Sequence, residues 1–204
     1  MGALLAKENI WYVGTQDPNL RVFDIIMHSD WGTSYNAYLV KGSEKTALFE
    51  TSKLEFFDEF LANVREVCDP ASIDYIVVDH TEPDHSGSLE KLLALAPNAT
   101  VLGSATALNF LKQIVNHEFA CRAVTEKDTV DLGGMTLHFL SVPFLHWPDS
   151  MYTYIPEAKA LFTCDSFGCH YADSRVFNDL IEGDFTPAYK YYFDCIIGPF
   201  KRPY

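Results

Sequence analysis

No C-x-x-C pair occurs among the five cysteines (Cys68, Cys121, Cys164, Cys169 and Cys195), which leaves no thiolate cluster for an iron–sulfur or rubredoxin-type centre. An odd thiol count without a secretory signal implies reduced cysteines in a cytoplasmic protein. Residues 1–8 have neither a basic region nor a long apolar segment. Apolar runs end at strand length, so no membrane-spanning helix is expected. Basic residues are scarce as well. Fifteen Lys and Arg against 28 Asp and Glu give a formal charge of −13, which argues against nucleic acid and anionic membrane as partners. Repeats, low-complexity tracts and linkers rich in Pro, Gly or Ser are absent, so nothing divides the chain.

What the chain has is apolar bulk. With 48% apolar residues over 204 positions it can bury a sizeable core, and one domain is expected over residues 1–204. Strand patterns cover residues 10–14, 22–27, 35–40 and 46–50, with Lys41-Gly42-Ser43-Glu44 as a hairpin turn between the last two. Phe56, Phe57, Phe60, Leu61 and Val64 then carry helical spacing. A strand over 73–79, a helix over 88–95 stopped by Pro97, a strand over 100–103 and a helix capped by Ser104 follow. Such strand–helix–strand units imply parallel pairing. The last third returns to hairpins: 129–132 and 135–140 flank Gly133-Gly134, and 151–155 and 160–164 flank a turn over 156–159. The expected architecture is α+β, two mixed sheets packed together with helices outside: an αββα sandwich.

The densest chemistry is His80-Thr81-Glu82-Pro83-Asp84-His85, four metal-ligating residues in six at a strand end. Imidazole nitrogen suits iron, zinc and copper, and carboxylate adds a hard anionic donor. An extended chain places residues 80, 82 and 84 on one side, and Pro83 holds Glu82 out of the helical region. Asp84 and His85 are neighbours and converge only if the chain turns, for which Ser86-Gly87 is suited. His146 and Asp165 occupy two further strand ends, where a sandwich brings them near the first cluster.

These residues carry a resemblance. The H-x-E-x-D-H run, Leu145-His146-Trp147-Pro148-Asp149-Ser150-Met151 and the Asp165 strand end are similar to the diiron domain of flavodiiron proteins, within the metallo-β-lactamase fold superfamily. Residues 32–40 and 191–200 match as well. The resemblance implies one iron held by His80, Glu82 and His146, a second held by Asp84 and His85, and Asp165 bridging them. It also implies reduction of dioxygen to water, or of nitric oxide to nitrous oxide. In that family electrons come from FMN on a flavodoxin-like domain, across a head-to-tail homodimer. The chain has no Ser/Thr-rich loop to cradle FMN. None of its remaining histidines fits the family's last ligand to the second iron, which comes from a strand beyond residues 191–200. The expectation is therefore a metallo-β-lactamase-like fold truncated at its C-terminal end, with FMN supplied by another domain or an electron-donor protein.

Two other readings stay open. Zinc hydrolases of the superfamily typically show H-x-H-x-D-H and act through metal-bound hydroxide on esters, thioesters or phosphodiesters. Glu82 in place of the second histidine favours a harder, redox-active metal. A domain whose metal only supports folding is the third reading. Tyr191 and Tyr192 either offer a phenol to the pocket or pack the core. His28 and His170 are candidate partners behind metal-bound imidazoles. Glu50 either orients a ligand or ends an exposed hairpin, and Trp147 packs beside His146. His117 and His138 read as structural.

Overall fold

The computed structural model describes residues 2–200; residue 1 and residues 201–204 of the domain expected over 1–204 lie outside them. The chain opens with β1 (Leu4–Lys7) and β2 (Ile10–Tyr12), then four short strands, β3 (Thr15–Asp17), β4 (Val22–Phe23), β5 (Met27–His28) and β6 (Thr33–Tyr35). β7 (Tyr38–Lys41), β8 (Thr46–Phe49), β9 (Tyr75–Val77), β10 (Thr100–Gly103) and β11 (Cys121–Ala123) complete the larger sheet, ordered β1-β2-β7-β8-β9-β10-β11. Pairing is antiparallel up to β8 and parallel beyond it. The switch falls where helices begin to carry the chain back. α1 (Phe57–Val67) links β8 to β9, α2 (Pro83–Ser86) and α3 (Leu89–Leu93) link β9 to β10, and α4 (Ala105–Ile114) links β10 to β11.

The smaller sheet comprises β12 (Thr129–Asp131), β13 (Thr136–Ser141), β14 (Met151–Ile155) and β15 (Ala160–Phe162), followed by α5 (Thr186–Tyr192). It is wholly antiparallel rather than mixed, because each strand folds back on the last, through short turns at β12–β13 and β14–β15 and through the longer segment 142–150 between β13 and β14. Gly133 and Gly134 both have positive φ (85° and 81°), as a two-residue hairpin turn of the primed type requires. That turn meets the β7–β8 hairpin so closely that a Cβ on Gly42 would lie 1.8 Å from the Leu132 carbonyl oxygen, so only glycine fits there.

Alternation along the central strands builds two cores. Leu39, Leu48, Ile76 and Val101 face the helices and pack with Phe60, Leu61, Val64, Leu92 and Leu111. Their neighbours Val40, Ala47, Phe49, Val77 and Leu102 face the smaller sheet and pack with Val130, Leu137, Phe139, Met151 and Ile155. Ser104 caps α4 as expected, its side chain accepting from Ala107 N at 3.0 Å.

Three local expectations need correction. Residues 22–27 form no single strand: Asp24 (φ 46°) and Ile25 (φ 72°) turn the chain between β4 and β5, leaving Ile25 93% and Ile26 83% exposed. Apolar character alone misleads here, since Phe23 and Met27 are buried while Ile25 and Ile26 stand out on the turn between them. The strand expected over 35–40 splits between β6 and β7, each pairing with a different partner. Finally, the ligand segment is extended only to Glu82 (φ −57°, ψ 147°), after which Pro83 opens the single turn α2.

Candidate metal centre

Four strand tips meet: the end of β8, the segment after β9, the β13–β14 connection and the end of β15. Residues in the left-handed region lie at three of them, Glu50 (φ 58°), Phe144 (φ 69°) and Cys164 (φ 42°). Such backbone is costly for a residue with a Cβ, and it clusters where geometry is dictated by something other than local preference.

The six expected ligand side chains come together. His80 Nε2 lies 3.2 Å from Glu82 Oε2 and 3.4 Å from Asp165 Oδ2. His146 Nε2 is 3.3 Å from the same glutamate oxygen and 3.0 Å from the same aspartate oxygen. Asp165 turns its other oxygen, Oδ1, toward His85 Nε2 at 3.0 Å, and Asp84 Oδ2 is 3.4 Å from that nitrogen. One carboxylate thus joins two donor sets, His80/Glu82/His146 and Asp84/His85. Donors about 2.1 Å from a shared metal would sit roughly 3.0 Å apart in an octahedron and roughly 3.4 Å apart in a tetrahedron. The observed spacings fall in that interval.

Asp149, fully buried, decides how His80 is used. Its Oδ2 lies 3.2 Å from His80 Nδ1 and accepts from the Thr81 N–H and the Thr81 hydroxyl, both at 2.8 Å. This contact places the imidazole proton on Nδ1, so a neutral His80 offers a lone pair from Nε2 toward two carboxylate oxygens. Lone pairs converge in this way around a cation. The donor set fits a metal.

The model of the family described as ODP family beta lactamase matches residues 33–194. The chain belongs to this family. Among its relatives is the flavo-diiron protein FprA2 of Clostridium acetobutylicum, 48% identical over 208 residues, an alignment that takes in 100% of this chain and 52% of the relative. The flavodiiron protein of Giardia intestinalis superposes with a TM-score of 0.92 at 35% identity, over 98% of this chain and 49% of that one. Rubredoxin oxygen:oxidoreductase from Desulfovibrio gigas gives 0.91 at 34% identity, over 97% and 50%. The expected metallo-β-lactamase-like fold and the likeness to flavodiiron proteins are borne out. This ODP-family chain spans about half the length of the relatives it matches.

Burial opposes charge on each imidazole, yet the facing acids prevail. Asp149 and Glu82 carry His80 up to about 9, and Asp165 and Glu82 carry His146 to about 9. Asp84 and Asp165 hold His85 well above its usual range. Against the same burial, contacts with the histidines hold Glu82 and Asp165 well below the carboxylate range. In the metal-free protein the raised imidazoles contribute stability that is complete below about pH 6.5 and is lost as pH climbs through about 9. A metal must displace those protons. Metal affinity should therefore rise from about pH 6 to about pH 9, with proton release at neutral pH countable by calorimetry in buffers of different ionisation enthalpy. An affinity flat across that range would contradict the assignment.

The remaining expected residues separate. Tyr192 is buried, and that burial together with the nearby Asp165 carboxylate holds its phenol well above the usual range. Tyr191 does not share that position: it is 42% exposed, since successive helical side chains point about 100° apart. His170 backs no ligand. Its Nδ1 pairs with Thr33 Oγ1 at 2.9 Å, its ring packs 4.3 Å from Phe23 and 5.0 Å from Tyr192, and burial pushes it down to about 4. His28 is exposed on β5, while His117 and His138 lie outside both donor sets. Trp147 stands edge-on to His80 at 5.1 Å and to His146 at 6.1 Å. Glu50 is buried, not an exposed hairpin end.

Two residues escaped the sequence reading. Asp149 was visible in the motif after His146, but no spacing rule says which histidine it backs. Asp24, on the β4–β5 turn, faces Glu82, and the approach of that second acid together with burial pushes its carboxyl up to about 7. A segment read as strand gave no hint of it.

Proposed function

We propose that this chain is the metal-bearing module of an oxygen or nitric oxide reductase, in which Asp165 would help to hold both of two iron ions. The division of the Asp165 oxygens between two donor sets, one of them containing Glu82, carries the reading. Three carboxylates and three imidazoles form a hard, anionic set, and Glu82 in place of the second histidine of the H-x-H-x-D-H zinc pattern makes it suit iron better. A pair of ferrous ions bound there would supply two electrons and Lewis acidity, with FMN on another domain or an electron-donor protein restoring them.

The chain's own residues do the rest. His80, Glu82 and His146 would hold one ion, Asp84 and His85 the other. The buried Tyr192 phenol, raised by burial and by the nearby Asp165 carboxylate, keeps its proton at Oη and would be a source of one, since water formation consumes protons. Phe49, Phe162 and Phe167 line the same cavity as Asp84, His85 and Asp165, so part of its wall is apolar and offers contact to an uncharged gas. No helix among the described residues is long and apolar enough to cross a membrane. We place the protein in the cytoplasm as a homodimer, with residues 1–204 acting as one domain.

Anaerobic loading with ferrous salt, followed by metal counting and Mössbauer spectroscopy, tests the reading. Two irons per chain in distinct environments are expected. One ion alone, or a zinc preference with esterase activity, would favour the hydrolase instead. Sustained oxygen consumption by the chain with reductant and no flavin would remove FMN from the scheme.

A further inference from the structure

The two donor sets differ in what stands behind them. His80 is backed by Asp149, whereas His85, the sole imidazole of the second set, has no hydrogen-bonded acid at its far nitrogen. The acid that approaches it is Glu50. Its Oε2 lies 3.8 Å from His85 Nδ1, an ion-pair distance, and is buried without a hydrogen-bond partner. The other oxygen, Oε1, accepts from the Asp79 N–H at 2.8 Å, one residue before the ligand segment.

The backbone around Glu50 is arranged for the same purpose. Glu50 N donates to Val77 O at 2.9 Å, so the chain is still tied to β9 when it enters the left-handed region at φ 58°. Thr51 then holds His85 directly: its N–H and its hydroxyl both donate to the His85 carbonyl oxygen, each at 2.7 Å. Residues 50 and 51 therefore engage His85 at its backbone and at its ring. An imidazole that presents Nε2 to a metal carries its proton on Nδ1, and that proton needs an acceptor. A buried carboxylate oxygen with no donor needs a proton to accept. Each group supplies what the other lacks.

We propose that Glu50 is a positioning residue for His85: its free oxygen keeps the His85 proton on Nδ1 and so aims Nε2 at the metal position shared by Asp84 and Asp165. This rests on the two-metal reading of the site, though not on which gas is reduced or on iron being the metal. Glutamate is suited because two acceptors are required, one for the Asp79 N–H and one for His85. Glutamine has a single acceptor oxygen. If it serves Asp79, its amide faces Nδ1 as a donor and forces the proton onto Nε2, where it blocks ligation.

The test is a titration of the metal-free full chain with cobalt(II), followed by visible absorption, for wild type, E50Q, E50D and H85A. Wild type should show two binding events. E50Q should weaken one of them about 10- to 100-fold, the event that H85A abolishes, and leave the other unchanged. E50D keeps the charge but is one methylene too short to serve both donors, and it should show the same selective loss. The unfolding midpoint of metal-free E50Q should stay close to that of wild type, which separates positioning from a purely structural role. If E50Q titrates like wild type, if both events weaken equally, or if wild type takes up no ion at the Asp84/His85/Asp165 set, Glu50 does not position His85. If the selective loss is seen but the iron-loaded protein reduces neither gas, the reductase reading falls and the role of Glu50 stands.

Discussion

Replacing Asp165 with alanine should empty both metal positions at once. Among the described residues, Asp165 alone belongs to both donor sets: Oδ1 meets His85 at 3.0 Å, while Oδ2 meets His146 at 3.0 Å and His80 at 3.4 Å. Without it each set loses its shared anionic oxygen, and three imidazoles are left crowded together. His80 stands 5.1 Å from His85 and 5.2 Å from His146, ring centre to ring centre. Protonating any of them then becomes harder, so their raised pKa values should fall. Changing an outlying hydrogen-bond partner costs about 10- to 100-fold in metal affinity, and removing a bridging ligand should exceed that for both ions. The comparison that isolates bridging is with E82A and D84A, which should each cost one ion and spare the other. Metal counting after equilibrium dialysis reads the outcome directly. A D165A protein that keeps one ion at wild-type affinity would show that the two sets are independent, and the bridge would be lost from the account.

Replacing Asp149 with alanine should reduce both the stability of the fold and the affinity of the first metal position. A single oxygen, Oδ2, serves His80 Nδ1, the Thr81 N–H and the Thr81 hydroxyl, all of them buried. Alanine leaves these donors in place with nothing to accept them. A stranded buried donor costs about 1–3 kcal/mol, and a change of about 3 kcal/mol in a chain of this size lowers the unfolding midpoint by roughly 6–12 °C. D149N keeps one acceptor oxygen and should lose less than half of that. Interactions with His80 and Thr81 hold the Asp149 carboxyl low despite its burial. The contribution is therefore present above about pH 4 and disappears as pH falls through the lowered value, so the gap between D149A and wild type should narrow in acid. Without the proton held on Nδ1, His80 also samples the tautomer that cannot ligate, so the first ion should bind about 10- to 100-fold more weakly. Calorimetric unfolding of the metal-free protein and a metal titration would measure the two effects separately. A D149A protein with wild-type midpoint and affinity would show that the contact is incidental.

Much of this protein was readable from its residues, for reasons that are local. The ligand types of residues 80–85 are adjacent in the chain, so no knowledge of the fold was needed to see them. The β7–β8, β12–β13 and β14–β15 hairpins were legible because turn residues announce them, Gly133-Gly134 most clearly. Helical spacing marked α1, and Ser104 marked the start of α4. Where the reading failed, the deciding partner was distant. The 22–27 segment has the composition of a strand, but its two ends pair with each other as β4 and β5, so it turns between them. Tyr191 and Tyr192 are alike in sequence, and only the packing of α5 selects the one that meets Asp165.

Residue chemistry therefore determined the donors, the hairpins and the alternation that builds two cores, because each depends on neighbours within a few positions. Tertiary structure decided the rest: that Asp165 shares its oxygens between two sets, that Asp149 stands behind His80, and that Glu50 stands beside His85. Those pairs are separated by 80, 69 and 35 positions for Asp165 with His85, Asp149 with His80 and Glu50 with His85 respectively. No local rule reaches across such distances. The meeting of strand tips does, because the two sheets pack face to face through the core they share.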